Sequence, residues 1–93
     1  MKELSLQTVV VRGSDHVETR VGDQTLMMSI EHGKYYSVDA TAGRIWELIE
    51  RPVALSEVVA ALMREYDVSS EECEAQVKSF VGDLISNGLA LER

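Results

Sequence analysis

The chain has 93 residues, 45% hydrophobic and 27% charged, the balance of a single ordinary globular domain spanning 1–93. A domain of this size buries roughly 60–65% of its unfolded surface and folds alone with modest stability. Sixteen acidic against nine basic residues give a formal charge of −7, and no two Lys or Arg residues are adjacent, which argues against nucleic acid and anionic membranes as partners.

The single cysteine, Cys73, excludes an internal disulfide and gives no sign of an oxidising compartment. The opening Met1-Lys-Glu-Leu-Ser lacks the apolar run of a signal peptide, and no stretch approaches the length of a membrane span. A cytoplasmic location is expected.

Taken in order, the first half reads as short antiparallel strands. Thr8–Arg12 is a β-branched run closed by the turn cluster Gly13-Ser14-Asp15. Val17–Val21 alternates apolar and polar residues up to Gly22-Asp23, and Thr25–Ile30 follows with Leu26, Met28 and Ile30 assigned to one face. Glu31-His32-Gly33 turns the chain into a strand over Tyr35–Val38. The pattern predicts three or four strands in meander order.

The second half is helical. Asp39 or Thr41 can N-cap a helix whose Ala42, Ile45, Trp46 and Ile49 share a face, with Pro52 as its stop. Ser56 is the expected N-cap of a second helix bearing Val58, Val59, Leu62, Met63 and Tyr66. Ser69-Ser-Glu-Glu72 forms a capping box for a third. Its apolar residues are Cys73, Val77, Phe80, Val81, Leu84 and Ile85, and Asn87-Gly88 ends it before Leu89-Ala-Leu91 packs the tail.

The residues supply no catalytic set. His16 and His32 fall in or beside turns with no partner at ligand spacing, and read as loop residues on the surface. Cys73 lies on an apolar stripe and reads as a small buried hydrophobe. No nucleophile–base pair, phosphate loop or metal spacing can be assembled, so the expectation is a non-enzyme without cofactor or metal.

Two features point to binding. The Tyr35–Val38 strand closes the meander, which leaves one backbone edge open. The third helix has a broad apolar arc, in which Val77, Phe80 and Leu84 point one way and Val81 and Ile85 form a shoulder with Lys78 beyond. Val81 and Ile85 fit either a groove beside the strand or the ordinary core.

The order of these pieces resembles the PqqD-like family, the recognition elements of ribosomally made, post-translationally modified peptides. The resemblance rests on Gly33-Lys34-Tyr35-Tyr36-Ser37-Val38-Asp39-Ala40-Thr41-Ala42, Ile45-Trp46, Tyr66-Asp67-Val68, Val77, Phe80-Val81, Leu84 and Gly88-Leu89, with Gln76 where the family often has Asp. It implies an α+β, winged-helix-like domain: an N-terminal three-stranded antiparallel sheet followed by a three-helix bundle. It also implies a role, the capture of the leader segment of a precursor peptide as an added strand.

The residues that would meet the leader are Lys34, Tyr35, Tyr36, Ser37 and Val38 on the strand, and Gln76, Val77, Lys78, Phe80, Val81, Leu84 and Ile85 on the helix. The implied partner is a processing enzyme. In lasso-peptide biosynthesis this is a transglutaminase-like leader peptidase, and in the pyrroloquinoline-quinone pathway a radical S-adenosylmethionine enzyme. A winged-helix DNA-binding regulator is the rival class, and three glutamates opening the last helix argue against it. An exposed edge allows a monomer or a strand-swapped dimer.

Overall fold

The structure, a computed structural model, describes residues 4–13, 16–30, 33 and 35–93. Strands β1 (Val9–Arg12), β2 (His16–Val21), β3 (Gln24–Ser29) and β4 (Tyr35–Val38) come first, then helix α1 (Ala40–Leu48). The chain continues through β5 (Val53–Ala54), α2 (Leu55–Glu65), α3 (Ser70–Ser86) and β6 (Ala90–Glu92). This is the expected α+β arrangement of an antiparallel three-stranded meander and three helices, but β1 stands outside the meander. It pairs with β5 on one side and β6 on the other, while β2-β3-β4 form a separate sheet.

The physical reason lies in Val10, which is fully buried, and in the stretch Leu89–Leu91, whose backbone pairs with β1 while Leu89 and Ala90 are buried and Leu91, expected to pack, is exposed. Hydrogen bonds from Arg12 N to Ile49 O (2.9 Å) and from Gly13 N to Leu89 O (2.8 Å) extend the anchoring of β1.

In the meander, β2 and β3 join through Gly22-Asp23, with Val21 opposite Gln24 and Gly22 at φ 61°, the positive dihedral a two-residue hairpin needs. The core face of β3 carries Thr25, Met27 and Ser29. Leu26 and Met28 share the other face, as the alternation predicts, and that face turns outward. Helix α1 lies close on that inner face: a Cβ at Gly43 would stand 3.5 Å from Thr25 Oγ1.

The helix ends follow local chemistry with one exception. Asp39 caps α1, Oδ1 accepting the Ala42 N–H at 2.9 Å, and Ser69 caps α3, Oγ accepting from Glu72 N at 3.2 Å. Helix α2 begins at Leu55, so Ser56 is inside it and caps nothing. Its first N–H groups donate instead to the preceding chain, Leu55 N to Thr8 O and Ser56 N to Leu6 O, each at 2.9 Å. A tertiary contact has replaced the side-chain cap. At the end of α3, Gly88 (φ 74°) donates to Ile85 O and Leu89 to Leu84 O, the paired bonds of a Schellman stop.

The core joins Val10, Met27, Ile45, Trp46, Ile49, Leu55, Val58, Leu62, Val77, Val81 and Leu89. Met63, assigned to the apolar stripe of α2, is exposed. Trp46 is 2% exposed yet satisfied, since its indole N–H donates to Glu18. Arg12 lies over the same ring, 5.0 Å from its centroid, and faces Glu18 (3.7 Å) and Glu50 (3.6 Å). His16 meets the ring edge-on at 5.0 Å; it begins β2 and is partly buried, contrary to the expectation of a surface loop. His32 lies outside the described residues.

Candidate functional site

Strand β4 ends its sheet, so among the described residues its outer edge has no partner strand. Its register opposite β3 places Tyr36 across from Met27 and Val38 across from Thr25, both on the inner face. Tyr35 and Ser37 therefore face outward, and Tyr35 is 78% exposed. Because Asp39 caps α1 directly after Val38, the strand turns into the helix without a loop. That junction holds the β4 edge beside α3.

Two adjoining hollows fill the space between them. One, of about 380 Å³, is lined by Tyr36, Ser37, Val38, Asp39, Ala42, Phe80, Asp83, Leu84 and Asn87. The other, of about 350 Å³, is lined by Asp39, Thr41, Ala42, Ile45, Gln76 and Phe80. Asp39, Ala42 and Phe80 belong to both. On α3 the lining positions 76, 80, 83, 84 and 87 are spaced as one helical stripe. An open strand edge running above a row of hollows is suited to an extended peptide, whose backbone pairs with the edge while alternate side chains enter the hollows.

Of the expected contact residues, Tyr36, Ser37, Val38, Gln76, Phe80 and Leu84 line this cleft. Lys34 lies outside the described residues. Val77 and Val81 are 0% exposed, and so belong to the core and not to a groove wall. Lys78 pairs with Glu74 at 2.9 Å and, with Ile85 and Leu4, borders a different hollow, which shares only Asp83 with the cleft. The shoulder sought at Val81 and Ile85 is thus one helical row away from the row that faces β4. Asp39, Thr41, Ala42, Ile45, Asp83 and Asn87 were not anticipated. Their signal was present in the Gln76–Phe80–Asp83–Asn87 spacing, but a search for an apolar surface passes over a stripe that is half polar.

Among the described residues, no group of three His, Cys, Asp or Glu side chains could hold a metal ion, and no helix is long and apolar enough to cross a membrane. Cys73 is buried on the inner face of α3, and that burial pushes its thiol pKa up.

The fold and cleft define a small α+β domain with an open strand edge set against a helix, the layout of a peptide-binding module. The family model for coenzyme PQQ synthesis protein D (PqqD) matches residues 24–90, and the chain belongs to that family. Among solved structures, TbiB1 in complex with the TbiA(beta) leader peptide has a TM-score of 0.77 and 26% sequence identity. That match covers 86% of this chain and 93% of the other. A lasso peptide synthetase B1 complexed with its leader peptide has a TM-score of 0.76 over 88% of this chain and 96% of the other, and at 21% identity it speaks to the fold. No curated protein matches the chain significantly.

Proposed function

We propose that this protein is a non-catalytic carrier in the cytoplasm that binds the leader segment of a ribosomally made precursor peptide. The leader joins the sheet as an antiparallel strand on β4 and sends alternate side chains into the hollows against α3. The observation that carries this reading is the β4 edge, unpaired among the described residues, beside two hollows, on a fold whose solved relatives were captured with leader peptides. Backbone pairing supplies affinity for any extended chain, and the hollows supply selection.

Its task is to raise the local concentration of the precursor at a processing enzyme. The first reading of that enzyme is a leader peptidase of lasso-peptide biosynthesis, supported by the likeness to TbiB1, which was solved with a leader peptide. The family match supports a second reading, a peptide chaperone for a radical S-adenosylmethionine enzyme of the pyrroloquinoline-quinone type.

The test uses the leader encoded by the precursor gene adjacent to this one, labelled with a fluorophore and titrated by anisotropy. Saturable binding, with faster leader cleavage by the co-encoded peptidase when this chain is added, is the expected result. Binding without any effect on the peptidase, but with stimulation of a radical enzyme, would favour the second reading.

A further inference from the structure

We propose that the larger hollow is a cation subsite, holding a lysine or arginine of the incoming leader with its stem on Phe80 and Ala42 and its head on Asp83. This rests on the leader-binding reading and adds a chemical requirement to it. Asp39 and Asp83 enter the hollow from opposite walls, one from the β4–α1 junction and one from α3, and no Lys or Arg lines either hollow.

Four acids on the surface have a cation of the protein beside them: Glu18 and Glu50 face Arg12, Glu65 holds Arg44, and Glu74 holds Lys78. Among the described residues, neither Asp39 nor Asp83 is part of an ion pair; Asp39 uses one oxygen on the Ala42 N–H, and Asp83 uses neither. A strand laid on the β4 edge takes water from both carboxylates at once. A neutral side chain in the hollow would leave them desolvated and unmatched. A lysine or arginine resolves both requirements, because its methylene stem suits an apolar floor while its head stays at the acidic rim. Inward side chains on one face of a strand recur about every 7 Å, so the hollow selects at one position of the leader.

The experiment replaces each Lys or Arg of the adjacent-gene leader singly by norleucine and measures anisotropy on wild type, Asp83→Asn and a control, Asp67→Asn, in the loop before α3. Thermal melts confirm that each variant is folded. One replacement should weaken binding to wild type by about fivefold, the scale of a single partly exposed ion pair. That replacement should have little further effect on Asp83→Asn, while Asp67→Asn behaves as wild type. If the parent leader binds but every replacement, or Asp83→Asn itself, leaves affinity unchanged, the cation subsite is wrong and the leader-binding reading stands. If the parent leader does not bind at all, that reading falls and the subsite with it.

Discussion

Arg44 on α1 and Glu65 at the end of α2 form a two-pronged ion pair, Nε to Oε1 at 3.0 Å and Nη2 to Oε2 at 2.9 Å. The hydrogen bonds from Arg44 hold the Glu65 carboxyl below the usual glutamate range, and the same contact raises the Arg44 pKa. A lowered folded pKa means that the pair contributes above the ordinary glutamate pKa and that its contribution is lost as pH falls through the folded value. Both side chains are substantially exposed, so the contribution is small and weakened by salt. Urea melts of wild type and Glu65→Gln should differ slightly at about pH 7 and converge in acid, below the ordinary glutamate range. A gap that widens in acid would contradict the assignment.

Phe80, Val81 and Ile85 should separate cleanly. Phe80→Ala removes the wall shared by both hollows and should weaken leader binding by about 1–2 kcal/mol in the anisotropy assay. Val81→Asp places a carboxylate in the core and should unfold the domain, as seen by circular dichroism. Ile85→Asp, outside the hollows beside β4, should leave leader affinity unchanged. Loss of binding with a native melt in Ile85→Asp would mean that the leader uses the hollow that Ile85 lines.

Glu18 is the common acceptor for the Trp46 indole and the Arg12 guanidinium. Glu18→Ala strands a buried N–H and leaves Arg12 with Glu50 alone, which should lower stability by about 1–3 kcal/mol. Glu47→Ala, a neighbouring exposed acid on α1, should be within about 0.5 kcal/mol of wild type. Paired denaturant titrations measure both.

Cys73 is buried, and its thiol donates only a long contact to Val59 O at 3.8 Å. Its raised pKa keeps it protonated near neutral pH, so iodoacetamide should react slowly with the folded protein and rapidly in denaturant. Cys73→Val should retain leader binding with a shift in stability of about 1 kcal/mol or less.

Much of this molecule can be read from local chemistry. Asp39 and Ser69 cap helices because their side chains reach N–H groups three residues on, and Gly88 stops α3 because its φ is positive. What escaped was set by distant residues. The start of α2 depends on the carbonyls of Leu6 and Thr8, some fifty positions away in sequence, and β1 leaves the meander because β5 and β6 flank it. The sequence reading set a groove between β4 and the Val81–Ile85 row of α3, whereas the hollows beside β4 run along the neighbouring row of Gln76, Phe80, Asp83 and Asn87. Hydrophobicity alone could not decide whether Val81 or Phe80 faces β4, because both are apolar and they stand about 100° apart around the helix.

The pairing of β1 with β6 has a consequence for biosynthesis. Val9–Arg12 is synthesised some eighty residues before one of its strand neighbours, Ala90–Glu92, so the small sheet cannot close until residues 90–92 have emerged. The strand pairing of the meander β2–β4 lies wholly within residues 16–38 and can begin first. The edge that would receive a leader can therefore form on the nascent chain before the domain behind it has locked, and the pairing of residues 90–92 with β1 is the step that completes the small sheet.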